Sequence, residues 1–481
     1  MNDNDECYII DEFIEEDDDK QQHIDTNVDF PGFLLLDKTF GKKNKRFLYK
    51  VQPFNRELPS LLIPYDKPVG FSKEIINKYI LFRYQDLKKK PAYGILIRSL
   101  GDVTNLNAYY EYMIYGKNIR LDNSLLKKQV KTLVPVCENE NIDNYVETIF
   151  NKYVNIYKYD DEAITIDSPG TEHFDDALSI SIQNNITKIS IYITNVCIWL
   201  EELNLWNFLG NEMKTIYLPN KKISMFPNEF IQLCNLKAYN KRIALCINIY
   251  IVNNKIVEVQ IKNKLIKVLN NFYYESKELL RNETYKKLMK FTQQYNDSVK
   301  NSYELVSYWM IFVNKLMGEK FAKKEIGIFK INYNNYDNYV IEKLIQEKGI
   351  NYYELNSEGE YIQLTSPLRK KADVLNQLFL MQCFLGYNFI NSDDYVSNFV
   401  SSIDEKNTLM KEIRKVENHC DIVSRLVNEN DEEKIYEVED LGPIKKIKGL
   451  NRIVQLDDDV KKIKIKIINK MERKSVRMEK V

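Results

Sequence analysis

Between residues 30 and 117 the apolar positions come in short runs, "GFLLLDK", "RFLYKVQ", "KYILFRYQ" and "AYGILIRSLG", separated by Pro, Gly and Asp clusters. Runs of this length, broken by turn formers, predict the strands of a small barrel. Residues 118–155 lean helical, and "AITIDS", "ALSISI" and "KISIYITNV" then resume the strand pattern. After 270 the pattern turns mainly helical. In "LVSYWMIFVNKLM", Leu305, Trp309, Phe312, Val313 and Leu316 recur near helical spacing, which predicts a buried core stripe and not a cofactor box. Near the C-terminus "VKKIKIKII" alternates Ile463, Ile465 and Ile467 with Lys462, Lys464 and Lys466. That is a half-buried strand with a basic outer face.

Composition sharpens this outline. A chain of 481 residues predicts about two to four domains. Its 44% hydrophobic content is enough for a real core. No apolar run approaches the roughly 18 residues of a membrane span, and the acidic N-terminus is neither a secretory signal nor a transit peptide. Seven cysteines are scattered without a CxxC pair, which speaks for reduced thiols in an intracellular compartment and against a zinc or disulfide framework. The net charge of zero conceals an asymmetry. Residues 1–26 hold eleven Asp/Glu and one Lys, a net of −10, so the remainder carries +10. The first segment reads as a disordered acidic tail, either merely solvated or a docking element for a protein partner. The basic body fits an anionic partner such as RNA, or simply a well-solvated surface.

The candidate chemistry sits in "TIDSPGTEHFDDALSI", residues 165–180, where Asp167, Asp175 and Asp176 surround His173. Carboxylates packed this closely repel one another unless a positive charge compensates. A hard divalent cation answers that need, because Mg²⁺ takes oxygen ligands and keeps several waters. Adjacent acids cannot both face one way on a strand, but in a loop at a strand start both can reach a shared cleft. A solvated acidic loop would show the same residues.

The wider sequence resembles the RNB family, the catalytic domain of RNase II, RNase R and the eukaryotic exosome exonuclease. Its signature is an Asp followed by acids at +6, +8 and +9, with D-P-P-G in the eukaryotic form; Asp167, Ser168, Pro169, Gly170, Asp175 and Asp176 match it locally. "TIYLPNKKISMFPNEFIQLCNLKAYNKRIAL" (215–245) looks like the Y-L-P…P-M-L-P…L-C-S-L…R segment, and "WMIFVNKLM" like the M-L-L-A-N helix. "LTSPLRKKADV" (364–374) is similar to T-S-P-I-R-R-Y-A-D, and "RKVENHCDIV" (414–423) loosely resembles the acidic helix after it. "KPAYGILIRSLGDVTNLNAYYEYMI" looks like the end of a cold-shock-type barrel. The likeness runs over residues 30–425 or so.

The resemblance implies a 3′-to-5′ exoribonuclease that takes single-stranded RNA and releases nucleoside monophosphates with Mg²⁺ or Mn²⁺, or a degenerate relative that binds RNA or a partner without cutting. It implies Asp167, Asp175 and Asp176 as metal ligands, Tyr217 as a stacking platform for the terminal base, Arg369 as a fork on the scissile phosphate, and Glu417 as the late glutamate. The departures are specific. His173 replaces the +6 acid, which removes a negative charge and adds a nitrogen ligand that Mn²⁺ tolerates better than Mg²⁺. Tyr192 and Asn195 replace the His and Asp of H-I-A-D-V. Lys371 stands for a tyrosine, and Gln377 and Leu378 for a His-Arg pair.

The expected architecture is multidomain α+β. It comprises an acidic tail (1–28), a cold-shock/OB-like RNA-binding barrel (29–118), a helical linker (119–155), an RNB domain (156–428) and a reduced OB-like C-terminal element (429–481). Lys462, Lys464 and Lys466 would be that element's RNA-facing edge. A monomeric cytoplasmic protein with no membrane association completes the expectation.

Overall fold

A computed structural model describes residues 8–9, 24–67, 75–119, 123–134, 139–153, 156–158, 162–333, 336–341, 360–428, 433–440, 445–448, 452–454, 461–470 and 473–480. Most of the acidic tail, with any partner site on it, therefore lies outside the described residues. The chain divides into two units: residues 1–120, 216–223 and 411–481 form the first, and 121–215 with 224–410 form the second.

The first unit is built on a closed barrel of β1 (Phe30–Lys43), β2 (Arg46–Pro53), β3 (Leu61–Tyr65), β4 (Lys78–Asp86) and β5 (Ala92–Asp102). The order around it is β1-β2-β3-β5-β4, with β4 closing antiparallel onto β1 and only β3–β5 parallel. This is the five-stranded arrangement of an OB-type barrel. Alternate residues fill it, among them Leu34, Val51, Leu61, Ile63, Ile80 and Phe82.

The sequence pattern misassigns one piece of it. Residues 106–116, expected to belong to the barrel's strands, form helix α1 (Leu106–Gly116). Asn105 caps it, its side chain accepting from the backbone N–H groups of Asn107 and Ala108. Tyr109, Tyr110 and Tyr112 lie on the buried face of the helix. Tyr112 stacks on Tyr79 at 4.5 Å and meets Phe54 edge-on at 5.1 Å. Tertiary packing of aromatic residues has overridden their β preference here.

The C-terminal sheet also belongs to this unit. It contains β13 (Glu433–Asp440), β14 (Lys445–Ile447), β15 (Arg452–Val454), β16 (Lys462–Lys470) and β17 (Arg473–Lys480), ordered β17-β16-β13-β14-β15. Ile463 and Ile465 are buried, as the alternation predicts. Tyr8–Ile9, from the apolar island of the tail, add a two-residue strand against β17, with Tyr8 opposite Met478. At those two residues the expectation of disorder gives way to pairing on an open sheet edge.

The second unit centres on a seven-stranded sheet of β6 (Ile156–Lys158), β7 (Ile164–Asp167), β8 (Asp176–Gln183), β9 (Ile186–Thr194), β10 (Lys241–Val252), β11 (Lys255–Lys267) and β12 (Asn270–Tyr273). Its order is β12-β7-β8-β9-β10-β11-β6. The interior pairs are antiparallel, while β12–β7 and β11–β6 at the two edges are parallel. Helices α2 (Ser124–Leu133) and α3 (Asn139–Lys152) precede it, and α4 (Glu283–Tyr295), α5 (Ser302–Ala322) and α6 (Lys371–Leu385) follow. Along α5, Leu305, Trp309, Val313 and Met317 are fully buried, and Phe312 and Leu316 are partly so, which is the stripe that the spacing predicts.

Helix α5 packs closely enough to leave no room at Gly318. A Cβ there would lie 2.0 Å from the carbonyl oxygen of Glu360. Because that neighbour is backbone, the strand-like segment after 360 would have to move. Gly318→Ala should therefore lower stability by about 1–3 kcal/mol, read as a lower urea midpoint. An unchanged midpoint would show that residue 360 yields freely.

Candidate active site

The acid-rich loop runs from the end of β7 to the start of β8, and its shape follows from its sequence. Asp-Ser-Pro-Gly places Pro169 and Gly170 at the centre of a tight turn closed by Thr171 N–H donating to Ser168 O at 3.1 Å. Gly170 has φ of +81°, the value that position i+2 of a type II turn requires and that glycine supplies at no steric cost. Asn235, from the "LCNL" stretch, then clamps the loop from the other side. It accepts from Phe174 N–H at 2.7 Å and donates to Glu172 O at 2.9 Å.

This clamp sends the two adjacent acids in different directions. Asp176 is the first residue of β8 and lines a cleft of about 390 Å³, together with Asp167 at the end of β7. Asp175 is fully buried and does not line that cleft. Its Oδ1 accepts from Leu368 N–H at 2.7 Å and its Oδ2 from Arg369 Nε at 2.6 Å. The expectation that both acids reach one cleft thus holds for Asp176 only. His173 is also buried, 7% exposed, and is not among the cleft's lining residues. Among the described residues no three His, Cys, Asp or Glu side chains come together in a way that could hold a metal ion.

Asp167 and Asp176 nevertheless fit a two-carboxylate site. Burial pushes the Asp167 carboxyl up to about 7, against the pull of Arg369. Burial and then the Asp167 charge hold Asp176 well above the ordinary carboxylate range. Asp167 Oδ2 is buried with no hydrogen-bond partner. A small hard cation bound through two carboxylates, with water and a phosphate completing its shell, would satisfy all three conditions. His173 would not be one of its ligands.

Cationic groups line the same cleft as these acids. Arg369 is part-exposed, with its Nη2 donating to Ser366 Oγ at 3.2 Å. Its backbone is held by Thr215 N–H, which donates to Arg369 O at 2.9 Å, while Lys371 N–H donates to Met213 O at 2.8 Å. The "Thr-Ser-Pro-Leu-Arg" stretch is thus pinned to residues 213–215 on one side and to Asp175 on the other. Asp373 follows on α6; its Oδ1 accepts from Ser366 N–H at 2.7 Å. Its Oδ2 is buried and unbonded, and burial pushes this carboxyl up to about 6.

Several lining residues escape the sequence patterns. Tyr274 follows β12 and meets Tyr303 of α5 edge-on at 5.5 Å, giving the cleft an aromatic wall. Burial, then the Asp176 and Asp167 charges, hold the Tyr274 phenol in its protonated form. Asn314 donates to Tyr361 Oη at 2.9 Å and accepts from Leu364 N–H at 3.1 Å, fastening the segment that leads to Arg369. Asn314 closes the stretch likened to M-L-L-A-N, so its position there was a usable signal. Nothing local marks Tyr274, whose place depends on the parallel β12–β7 edge.

The substituted motif residues fall in buried structural networks. Tyr192 is buried and shares a 3.1 Å hydrogen bond with Ser179. Asn195 donates to Asn263 Oδ1 at 2.9 Å and accepts from Ile198 N–H at 3.0 Å. Gln377 donates to Thr194 O and accepts from Val196 N–H, tying α6 to the end of β9. The Lys371 ammonium is buried over the rings of Phe226 and Tyr395 at 5.3 and 5.7 Å.

The remaining expected site residues belong to the first unit. The backbone N–H of Tyr217 donates to Glu417 Oε1 at 2.9 Å, and the Tyr217 side chain is 47% exposed. In the C-terminal sheet Lys464 pairs with Glu433 at 3.5 Å, and Lys466 pairs with Glu479. Lys462 is exposed.

Comparison with known proteins agrees with this fold. Residues 156–305 match the RNB domain model. Over 98 residues the chain is 34% identical to Exoribonuclease 2 of Psychromonas ingrahamii; the match covers 20% of this chain and 15% of that enzyme. RNase R of Mycoplasma genitalium, solved with ribose-methylated single-stranded RNA, superposes with a TM-score of 0.65 at 13% identity, over 93% of this chain and 89% of that one. Its complex with double-stranded RNA gives 0.62 at 14% identity, over 93% and 95%. Yeast Ssd1, a pseudonuclease, gives 0.56 at 12% identity, over 91% of this chain and 66% of its own. The class is an α+β protein that joins an OB-like barrel to an RNB domain. This chain carries the RNB-domain match over residues 156–305 and shares its fold with these proteins.

The Asp167 carboxyl provides a check on the cleft. Its ordinary value is 3.8 and its folded value about 7, so between those values the folded chain holds a proton that the unfolded chain has lost. The associated stability is complete below the lower value and is lost as pH rises through the upper one. Without divalent cations, Asp167→Asn should raise Tm at about pH 8 and leave it nearly unchanged at about pH 4. Equal effects at both would mean that Asp167 is not buried against its neighbours.

Proposed function

We propose that this chain is a 3′-to-5′ exoribonuclease that hydrolyses single-stranded RNA to nucleoside 5′-monophosphates, with a divalent cation held by Asp167 and Asp176. The observation that carries this reading is the pairing, in one cleft, of two carboxylates held above their ordinary range with the guanidinium of Arg369. Bound there, Mg²⁺ or Mn²⁺ would supply an activated water and charge neutralisation.

The chain's own residues account for the rest of the reaction. Arg369, with its Nε on Asp175, presents the remainder of its fork to the scissile phosphate, where planar donors match phosphate oxygens. Asp175 acts as the residue that positions Arg369. Tyr274 and Tyr303 offer ring faces and edges for a base, and stacking of this kind tolerates any sequence. Tyr217 is an exposed ring in the first unit that would serve the same purpose on the RNA, with Glu417 fixing its backbone.

A second reading has its own support. His173 stands where a fourth acid is expected and lies outside the cleft lining, Asp175 is committed to Arg369, and one structural neighbour is a pseudonuclease. In that reading the protein binds RNA without cutting it. Labelled single-stranded RNA with Mg²⁺ or Mn²⁺, resolved for mononucleotides, separates the two. We expect mononucleotide release, and we expect Asp176→Asn to abolish it while RNA binding persists, because binding rests on phosphate contacts and stacking. Binding without release in the unsubstituted chain would establish the second reading.

The C-terminal lysines have a smaller expected share. With Lys464 and Lys466 paired to glutamates, only Lys462 stands clear as a phosphate contact. Replacing all three by Gln should flatten the salt dependence of RNA binding by about 0.7 units of slope, the value of one single-strand phosphate contact. A change of about 2 units would show that RNA displaces both glutamates.

A further inference from the structure

The cleft contains a second cation besides Arg369. Lys370 lines it beside Asp167, Asp176 and Arg369. Its backbone is fixed from two sides, since its N–H donates to Ser366 O at 3.0 Å and it forms an isolated antiparallel bridge with Lys214. Among the described residues its ammonium makes neither a hydrogen bond nor an ion pair, so its protons are available to whatever enters the cleft.

The charges around Lys370 oppose one another. Burial works against the ammonium, and so do Arg369, Lys330 and Lys214; the Asp373 carboxylate favours it. Asp175 also interacts with it electrostatically. The balance leaves the lysine below its ordinary range, closer to giving up a proton than a solvated lysine. In the T-S-P-I-R-R-Y-A-D pattern this position is an arginine. A guanidinium does not release a proton in proteins, whereas a desolvated lysine does. The substitution therefore changes the chemistry available in the cleft while keeping its charge.

We propose that Lys370 donates the proton that the leaving 3′-oxygen requires when an RNA phosphodiester is cut in this cleft. The proposal rests on the hydrolytic reading. In the step, a water oxygen forms a bond to phosphorus and the P–O3′ bond breaks. The electron pair of that bond goes to O3′, which takes a proton from Lys370 Nζ. The attacking water loses one proton to solvent, and the neutral amine regains one from solvent, so one water is consumed per bond cut. Asp373, with Oδ1 fixed on Ser366 N–H and Oδ2 free, keeps the lysine charged until the step occurs.

The test compares two RNA strands in the full-length protein, with Mg²⁺ and with Mn²⁺. One strand has an ordinary terminal linkage; in the other the bridging 3′-oxygen is replaced by sulfur, a leaving group that needs no proton. Lys370→Arg should slow the oxygen-linked strand by about 10²–10⁴-fold, the usual contribution of a general acid. It should cut the sulfur-linked strand at close to the unsubstituted rate and bind both strands as well as the unsubstituted chain does. In the unsubstituted protein, kcat on the oxygen linkage should fall as pH rises through the titration of Lys370. That fall should be absent with sulfur. Equal slowing on both linkages would overturn the proposal and leave Lys370 as a phosphate-binding charge. An unchanged rate on the oxygen linkage would also overturn it, with the hydrolytic reading intact. If the unsubstituted chain binds both strands and cuts neither, the hydrolytic reading fails and the proton donor fails with it.

Discussion

The site depends on one buried ion pair, Asp175 with Arg369. It joins residues almost two hundred positions apart, and it does so where water cannot compete, because Asp175 is fully enclosed. A lone charge in such a place would be very costly, so each partner enforces the other. The Leu368 N–H takes the second carboxylate oxygen, which fixes the backbone as well as the side chain. From this junction the acid loop, the start of β8 and the entry to α6 all take their positions. Removing Arg369 would leave the enclosed Asp175 carboxylate uncompensated, a loss of about 3–5 kcal/mol.

The junction also sorts the acids into roles that their spacing conceals. Asp175 is used up in structure, and Asp167 and Asp176 are left lining the cleft. Their carboxyls are raised by burial first and, at Asp176, next by the Asp167 charge. Arg369 and Lys370 place positive charge at the same cleft, just ahead of Asp373 in the first turn of α6. A polyanion entering the cleft would meet both sets of groups: carboxylates suited to a bridging cation, and cations suited to phosphate oxygens directly.

Four of the motif replacements, at Tyr192, Asn195, Gln377 and Lys371, lie in the supporting layer. Tyr192, Asn195 and Gln377 each replace a motif residue, and each is buried and hydrogen-bonded to sheet or helix backbone or to a side chain beside it. Lys371 places an ammonium among aromatic rings, where burial brings it down to about 8 against the pull of the buried Glu212. These replacements are built into the frame that holds the cleft. His173 belongs with them: it takes the place of an acid, yet it does not face the cleft.

Sequence alone determined the features that depend on local period and local backbone chemistry. The barrel strands follow from short apolar runs between turn formers, the α5 stripe from helical spacing, β16 from strict Ile/Lys alternation, and the Ser168–Thr171 turn from Pro-Gly. Asp167, Asp176 and Arg369 were legible as a group because their motifs stand in a recognisable order. Tertiary structure decided the rest. Asn105 capping and aromatic packing turned residues 106–116 from strand to helix. Asn235 clamped the acid loop so that adjacent aspartates point to different partners, an outcome that no spacing rule contains. Glutamates set diagonally on the neighbouring strands took up Lys464 and Lys466, since which residues come within reach is a matter of register. Tyr274 reached the cleft through the parallel β12–β7 edge. In each case the deciding neighbour is distant in sequence, and only the folded chain brings it near enough for a hydrogen bond, a charge or a ring to act.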